Sequence, residues 1–350
     1  WVKENIEAFG GDAKRITVGG ESVGAQSVSA LMASPLSKGL FSSAIAESGS
    51  LLDIRPMVLS LKKSEAMGTE LSVLAKSASI DDLRSISAKK LLKIVDKENP
   101  RRFKPTIDGY FLTEMPEETF SKGMQAKVPL LLGWNAQEVP AAALFRLRRI
   151  NAKNYDRAVK KIYGEKSAEV LKLYPSGTKA EIKNVSVELM SDRLINYSSW
   201  KLAELHAQNT SAPVYRYLFA HPHPGLNRRT IREGNFFQVL IKKLINRTIS
   251  GTAFHASEIE YVLGNLDVQD NYAWRASDYQ VSEQMQSYFV NFIKNGNPNS
   301  LSLQSTSLLE WPAYRRTENR KFIRIQTESV IETEQNNKRF LLLESLKKEE

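Results

Sequence analysis

The stretch Arg15-Ile16-Thr17-Val18-Gly19-Gly20-Glu21-Ser22-Val23-Gly24, with the small residues that follow it at 25–33, decides the fold class of this chain. Its first residues are β-branched, which predicts a strand at 15–19. The small residues at 25–33 favour a helix. Between them, residues 20–24 fit the pattern G-x-S-x-G in the strand–turn–helix context that this motif requires. The sequence therefore predicts a serine, Ser22, on a sharp turn between a strand and a helix.

A serine on so tight a turn has strained backbone angles, which are tolerated when its close neighbours lack side chains. In return its Oγ stands clear of the sheet at a helix N-terminus, where it can act as a nucleophile. The alternative interpretation is a glycine-rich turn with an idle serine.

Strands and helices alternate along the rest of the chain. This alternation predicts an α/β fold with a mainly parallel sheet. Residues 140–209 are interpreted as a helical, lid-like insertion. Further strands are predicted at 44–46, 128–133, 214–219 and 321–325, helices at 61–99 and 279–294, and a turn at 105–109.

Length and composition exclude several classes of protein. The chain has 350 residues, of which 42% are hydrophobic, enough for one large domain or two small ones. No uncharged apolar run of about 18 residues is present, so a membrane span is not predicted, and the first residues do not resemble a signal peptide. The absence of cysteine excludes disulfides, thiolate nucleophiles and iron–sulfur clusters. Neither a metal nor a cofactor is predicted.

The net charge of +10 raises the question of nucleic acid or another anionic surface. The basic residues are scattered along the chain and form no recognition helix or zinc finger. We therefore interpret them as a solvated surface and do not predict nucleic-acid binding.

A nucleophilic serine needs a base and an orienting carboxylate, which follow it in the order acid, then histidine. His255 lies in a loop of small residues, and Glu138 follows the strand predicted at 128–133, where α/β sites gather. Alone, either could be an ordinary loop residue. His221 and His223, beside prolines, are interpreted as surface turn residues, and His206 as a solvent-facing residue of an amphipathic helix.

These segments together resemble type-B carboxylesterases, the cholinesterase-like branch of the α/β-hydrolases. The resemblance runs in the family's own order from residue 1 to about residue 326. It rests on Phe9-Gly10-Gly11-Asp12, Gly20-Glu21-Ser22-Val23-Gly24, Ser34-Pro35-Leu36-Ser37-Lys38-Gly39-Leu40-Phe41, Glu47-Ser48-Gly49-Ser50, Asp108-Gly109, residues 133–138, 255–264 and 295–299, and Glu310-Trp311-Pro312.

The resemblance implies one α/β-hydrolase catalytic domain over residues 1–350, with helices on both faces of its sheet. It implies a serine hydrolase of small carboxylic esters with Ser22 as nucleophile, Glu138 as acid and His255 as base. A non-catalytic cholinesterase-like binding or adhesion domain is the alternative, although all three of these positions are retained. Oligomeric state and localisation stay open; a bacterial protein, periplasmic, secreted or cytoplasmic, fits the absence of cysteine.

The resemblance also places the amide of Val23 in an oxyanion hole, and Glu21 and Ser48 near the catalytic residues. The chain departs from the family pattern at Val23, where alanine is usual, at Val139, which replaces glycine, and at Ala256. These departures bear on substrate range more than on chemistry.

The glycine pair that supplies the family's other oxyanion donors has no counterpart here, since Gly10-Gly11 and Gly19-Gly20 match other positions. The resemblance thus covers the C-terminal two-thirds of a family member, without part of the sheet. We expect the strand at 15–19 to have an unpaired edge and the chain alone to be poorly folded and inactive.

Overall fold

A six-stranded sheet forms the centre of the computed structural model, which describes residues 1–98, 103–146, 148–299, 308–317 and 320–347. Its strand order is β1-β2-β5-β6-β7-β8, and every pairing is parallel except that of β7 with β8. The mainly parallel α/β fold predicted from the sequence is confirmed. The strands are β1 (Thr17–Glu21), β2 (Ser43–Glu47), β3 (Leu59–Ser60), β4 (Thr106–Ile107), β5 (Leu130–Asn135), β6 (Val214–Phe219), β7 (Lys321–Ile325) and β8 (Val330–Thr333).

Helices surround the sheet. They are α1 (Val2–Asn5), α2 (Val23–Ala33), α3 (Leu61–Ala75), α4 (Ile80–Ser85), α5 (Ala88–Glu98), α6 (Pro116–Ser121), α7 (Ala142–Phe145), α8 (Ala152–Tyr163), α9 (Ser167–Leu173), α10 (Lys179–Ser191), α11 (Tyr197–Asn209), α12 (Arg228–Arg232), α13 (Phe236–Ile249), α14 (Ile259–Leu263), α15 (Ala276–Asn295) and α16 (Asn337–Ser345). The helical pattern predicted over 61–99 is divided into three helices, and its last residue lies outside the described part of the chain.

Both faces of the sheet are covered by helices, because successive side chains of its strands point to opposite sides. In β5, Leu130 and Leu132 pack with α2 and α11, whereas Leu131 packs with α15. All six residues of β5 are buried. A central parallel strand is therefore recognisable in the sequence as a continuous apolar run.

The helices between residues 140 and 209 do not all belong to one layer. α8 and α10 pack with α16 in a separate apolar cluster that includes Tyr155, Leu189 and Phe340. α11 instead packs on the sheet through Leu202 and Ala203. The helical character predicted for this region is present, and its last helix is part of the main core.

Two features of the fold concern surfaces rather than the core. Within the described residues β1 is an edge strand that pairs with β2 alone. No helix in the part of the chain that the structure describes is long and apolar enough to cross a membrane.

Candidate active site

The serine of the G-x-S-x-G motif lies between β1 and α2. Ser22 has φ 57° and ψ −113°, angles that L-residues rarely adopt. Gly20 makes this turn possible, because a Cβ there would lie 2.5 Å from the backbone carbon of Gly24. The amide of Ser22 donates to Glu47 O at 2.9 Å, which fixes the turn against β2. The strained turn predicted from the sequence is present.

Three side chains from distant parts of the chain meet in one hydrogen-bonded series. Ser22 Oγ is 2.9 Å from His255 Nε2, and His255 Nδ1 is 2.6 Å from Glu138 Oε2. Ser22 begins α2, Glu138 follows β5, and His255 lies in the loop between α13 and α14. The structure thus brings together all three residues proposed for the chemistry.

The carboxylate of Glu138 is buried and held by two further donors. Its Oε1 accepts from Ser48 Oγ and from the amide of Asn135, both at 2.6 Å, which leaves Oε2 for His255. Ser48 is itself in an unusual left-handed conformation, with φ 55°, and its amide donates to Gly133 O at 2.8 Å. Ser48 is therefore in direct contact with Glu138, one of the residues near which the resemblance places it.

The loop that carries His255 is tied to the loop that carries Glu138. The amide of Gln137 donates to Ala253 O at 2.9 Å, and Gln137 Oε1 accepts from the amide of Ala253 at 2.7 Å. Asn135 Nδ2 donates to Phe254 O at 2.7 Å. No role was predicted for Asn135 or Gln137, although their position at the carboxyl end of a buried strand was the signal that could have identified them.

Glu21 lies on the other side of the imidazole. Its Oε1 is 3.4 Å from His255 Nε2. The hydrogen bond from His255 to Glu138, together with the negative charges of Glu138 and Glu21, raises the pKa of His255 even though burial opposes this. Burial raises the pKa of Glu21. The site therefore favours a positive charge on this ring.

Two more carboxyl groups lie beneath the site and were missed by the sequence analysis. Burial raises the pKa of Glu47 to about 7, and Tyr217 donates to this carboxyl at 3.2 Å. Burial and the negative charges of Glu47 and Glu138 raise the pKa of Glu258 well above its usual value. Asn135 Nδ2 also donates to Glu258. The buried carboxyl groups of Glu47 and Glu258 therefore keep their protons to higher pH than ordinary glutamates do.

The three departures from the family pattern occupy different surroundings. The side chain of Val23 is 68% exposed, so it points away from the core. Val139 donates its amide to Ser191 Oγ at 3.0 Å, and Ala256 adopts φ 66°.

The predictions for the other three histidines were wrong, because His206, His221 and His223 are all buried, at 0%, 2% and 1% exposure. His206 Nε2 is 2.9 Å from Val128 O, and burial lowers the pKa of His206 to about 4. α11 is covered on one side by the sheet and on others by α6 and α16. The amphipathic pattern of α11 therefore does not indicate a solvent-exposed face, because this helix is covered on several sides.

His221 and His223 follow β6 and point inward. His221 Nε2 is 2.8 Å from Asp278 Oδ1. The ring of His223 packs against Phe254 and Trp274, and burial lowers the pKa of His223 to about 4. Adjacent prolines indicate a turn but not its exposure. Here Tyr261 of α14 and Asp278 of α15 contact His221, and loop residues cover His223.

Nothing in the described ranges groups three or more histidine, aspartate or glutamate side chains in an arrangement that could hold a metal ion.

The mainly parallel sheet, the helices on both faces and the serine on a strained strand-to-helix turn define an α/β-hydrolase. The chain matches the model of the Carboxylesterase family over residues 1–342. It belongs to that family.

Relatives and solved structures agree with this assignment. The para-nitrobenzyl esterase of Bacillus subtilis (strain 168) is 33% identical over 95% of this chain and 63% of its own length. The fumonisin B1 esterase of Sphingopyxis macrogoltabida is 31% identical over 90% of this chain and 54% of its own length. The chain thus spans less than two thirds of the length of these curated relatives.

Among solved structures, a thermophilic para-nitrobenzyl esterase superposes with a TM-score of 0.72 at 28% identity, covering 98% of this chain and 65% of that one. A Geobacillus stearothermophilus carboxylesterase gives a TM-score of 0.72 at 25% identity, covering 99% and 67%. The expected α/β-hydrolase fold is therefore confirmed.

Proposed function

We propose that this protein hydrolyses carboxylic esters through an acyl-enzyme formed on Ser22, with His255 as general base and Glu138 as the acid of the triad. The observation that carries the proposal is the hydrogen-bonded series Ser22 Oγ, His255 and Glu138, with links of 2.9 and 2.6 Å. Membership of the carboxylesterase family and the esterase activity named for its relatives support it.

The first half-reaction forms the acyl-enzyme. Ser22 Oγ attacks the ester carbonyl carbon while its proton passes to His255 Nε2. The resulting imidazolium then gives this proton to the leaving alkoxide as the bond from carbon to the alkoxide oxygen breaks. Glu138 keeps the other proton of the ring on Nδ1 and stabilises the imidazolium.

The second half-reaction regenerates the enzyme. Water attacks the acyl carbonyl and loses a proton to His255 Nε2, which returns it to Ser22 Oγ as the acyl–oxygen bond breaks. In both halves a negative charge develops on the carbonyl oxygen. The amide of Val23 in the first turn of α2 has no carbonyl partner within the helix, so it can donate to this oxygen.

A non-catalytic binding domain is the weaker alternative. Such a domain has no need for the strained angles of Ser22, which cost stability wherever they occur. A binding domain also does not need the buried carboxylate of Glu138, in which two donors hold Oε1 and Oε2 is left to hydrogen-bond with His255. The relatives of this chain named above are esterases, which does not favour this alternative either.

The test combines covalent labelling with turnover. The purified protein is treated with a fluorophosphonate and assayed with a p-nitrophenyl ester, alongside Ser22→Ala and Ser27→Ala. Ser27 is an exposed serine of the same helix, whose Oγ donates to Val23 O. Loss of both label and turnover in Ser22→Ala alone supports the proposal, and labelling that persists in that variant contradicts it.

Because residues 1–350 alone are expected to be inactive, the labelling and kinetic assays use the full-length protein; that inactivity stays a prediction. It is tested by comparing the turnover of this chain with that of the Bacillus subtilis para-nitrobenzyl esterase under the same conditions. Loss of one oxyanion donor typically costs about 10² to 10³ in rate, so a similar turnover would contradict it.

A further inference from the structure

Helix α13 (Phe236–Ile249) carries an exposed apolar surface that the proposed chemistry does not use. None of its residues is buried, and six large apolar side chains are between 47% and 76% exposed. They lie in two rows along the helix, each with four-residue spacing. The first row is Phe236, Leu240 and Leu244, and the second is Phe237, Ile241 and Ile245.

The two rows face away from the rest of the protein. Val239, Asn246 and Ile249 are half-buried, and at 100° per residue they lie on the opposite side of the helix. Asn246 Oδ1 accepts from the amide of Leu226 at 2.6 Å, which fixes this side against the protein. Contiguous exposed apolar side chains of this kind mark an interaction site.

The charge around this surface is positive. Lys243 and Arg247 form a row beside Phe236 and Leu240, and no aspartate or glutamate occurs from residue 234 to residue 257. Neither cation forms an ion pair with any residue that the structure describes. The nearest acid in sequence, Glu233, lies 3.9 Å from Lys242. A partner that complements this surface is apolar and anionic at once.

We propose that α13 binds the surface of an anionic lipid bilayer. The two apolar rows enter the boundary between headgroups and acyl chains, and Lys243 and Arg247 contact the anionic headgroups. Apolar residues on one side with cations and no carboxylate beside them are the composition of helices that lie in a membrane interface. A symmetric pairing of two copies through α13 brings these cations together with no acid on either helix to meet them.

The position of α13 relates this surface to the candidate active site. Residues 250–254 connect the helix directly to His255. The amide of Gly251 donates to His223 O at 2.8 Å, and the backbone of Ala253 is bonded to Gln137. Binding through α13 thus places the loop of the histidine next to the bilayer, where apolar esters collect. The binding itself does not require that the site be catalytic.

The test is flotation of the purified protein with vesicles of phosphatidylcholine, with and without phosphatidylglycerol. We expect Leu240→Gln with Leu244→Gln to lower the fraction bound to anionic vesicles at least about tenfold. Lys243→Gln with Arg247→Gln lowers binding to anionic vesicles and leaves the weak binding to phosphatidylcholine unchanged. Val73→Gln, at a 73% exposed position of α3, is the matched control and binds as the unmodified protein does.

Several outcomes decide the proposal. Because the changed side chains are exposed, near-UV circular dichroism should match the unmodified protein in every variant. The proposal is overturned when the unmodified protein does not float with anionic vesicles, or when the Leu240 and Leu244 variant floats equally well. Sedimentation that shows self-association abolished by the same variant, without vesicle binding, assigns the surface to a second copy. Ser22→Ala binds vesicles normally, which separates this result from the proposed catalysis.

Discussion

Glu21 Oε1 lies 3.4 Å from His255 Nε2, the same ring nitrogen that is 2.9 Å from Ser22 Oγ. Ser22 Oγ and Glu21 Oε1 thus both lie close to the position of a proton on His255 Nε2. When the ring is neutral, Nε2 can accept from the serine; when it is protonated, Nε2–H points between the serine and a carboxylate. This geometry favours the charged form of His255, in agreement with the raised pKa.

Replacing Glu21 with glutamine tests this relationship. Loss of the negative charge lowers the pKa of His255, and only the neutral ring can act as base. The fall in kcat/KM at low pH therefore moves to lower pH, and kcat drops about tenfold because the imidazolium loses a partner. A pH–rate profile measures both effects. An acid limb that stays in place or moves to higher pH contradicts the role given to Glu21.

Replacing Ser48 with alanine removes one of the two donors to Glu138 Oε1. A hydrogen bond to a charged group contributes about 1.5–3 kcal/mol, so we expect kcat to fall at least about tenfold. Ser50→Ala is the matched control, since that buried serine donates to Ser198 O instead. Steady-state kinetics on the two variants is the measurement, and equal losses in both indicate a general packing defect.

The two glycines of the G-x-S-x-G motif should respond differently to alanine. At Gly20 a Cβ meets the backbone of Gly24 at 2.5 Å, so Gly20→Ala displaces the serine turn. We expect activity to be lost and stability to fall by about 2 kcal/mol or more. At Gly24 nothing lies within 4 Å of the new Cβ, and alanine favours a helix. Thermal unfolding of Gly24→Ala should show no loss, and a comparable drop in both variants refutes this distinction.

Stability should fall with rising pH because of Glu47. Its folded-state pKa of about 7 exceeds its ordinary value of 4.5, so the folded protein binds the proton more tightly than the unfolded chain does. The contribution is fully present below pH 4.5 and is lost as the pH rises through about 7. Glu47→Gln, which keeps a neutral partner for Tyr217, should therefore be stabilised at pH 8 and not at pH 4.

The expected effect is a gain in the stability of Glu47→Gln, relative to that of the unmodified protein, between pH 4 and pH 8. Chemical denaturation of both proteins at the two pH values measures it. An equal difference in stability at pH 4 and pH 8 shows instead that Glu47 does not titrate in this range.

Local conformation was predictable wherever a few neighbouring residues specify it. The strained turn at Ser22 follows from two glycines around a serine, and β5 follows from a short apolar run bounded by proline and glycine. The strands predicted at 15–19 and 128–133 lie two residues further along the chain, because the ladder with neighbouring strands sets their ends, whereas β6 and β7 have the predicted bounds. α13 was not predicted, since its apolar residues cannot be assigned to a face without knowing what packs beside it.

The sequence by itself determined the serine turn, the alternation of strands and helices and, through resemblance, the three residues of the proposed triad. Only the tertiary structure decided which carboxyl groups surround His255, that His206 is buried, and that α13 presents its apolar rows outward. The physical reason is that backbone conformation responds to adjacent residues. Burial and pKa depend instead on groups such as Ser22 and His255 that lie far apart along the chain.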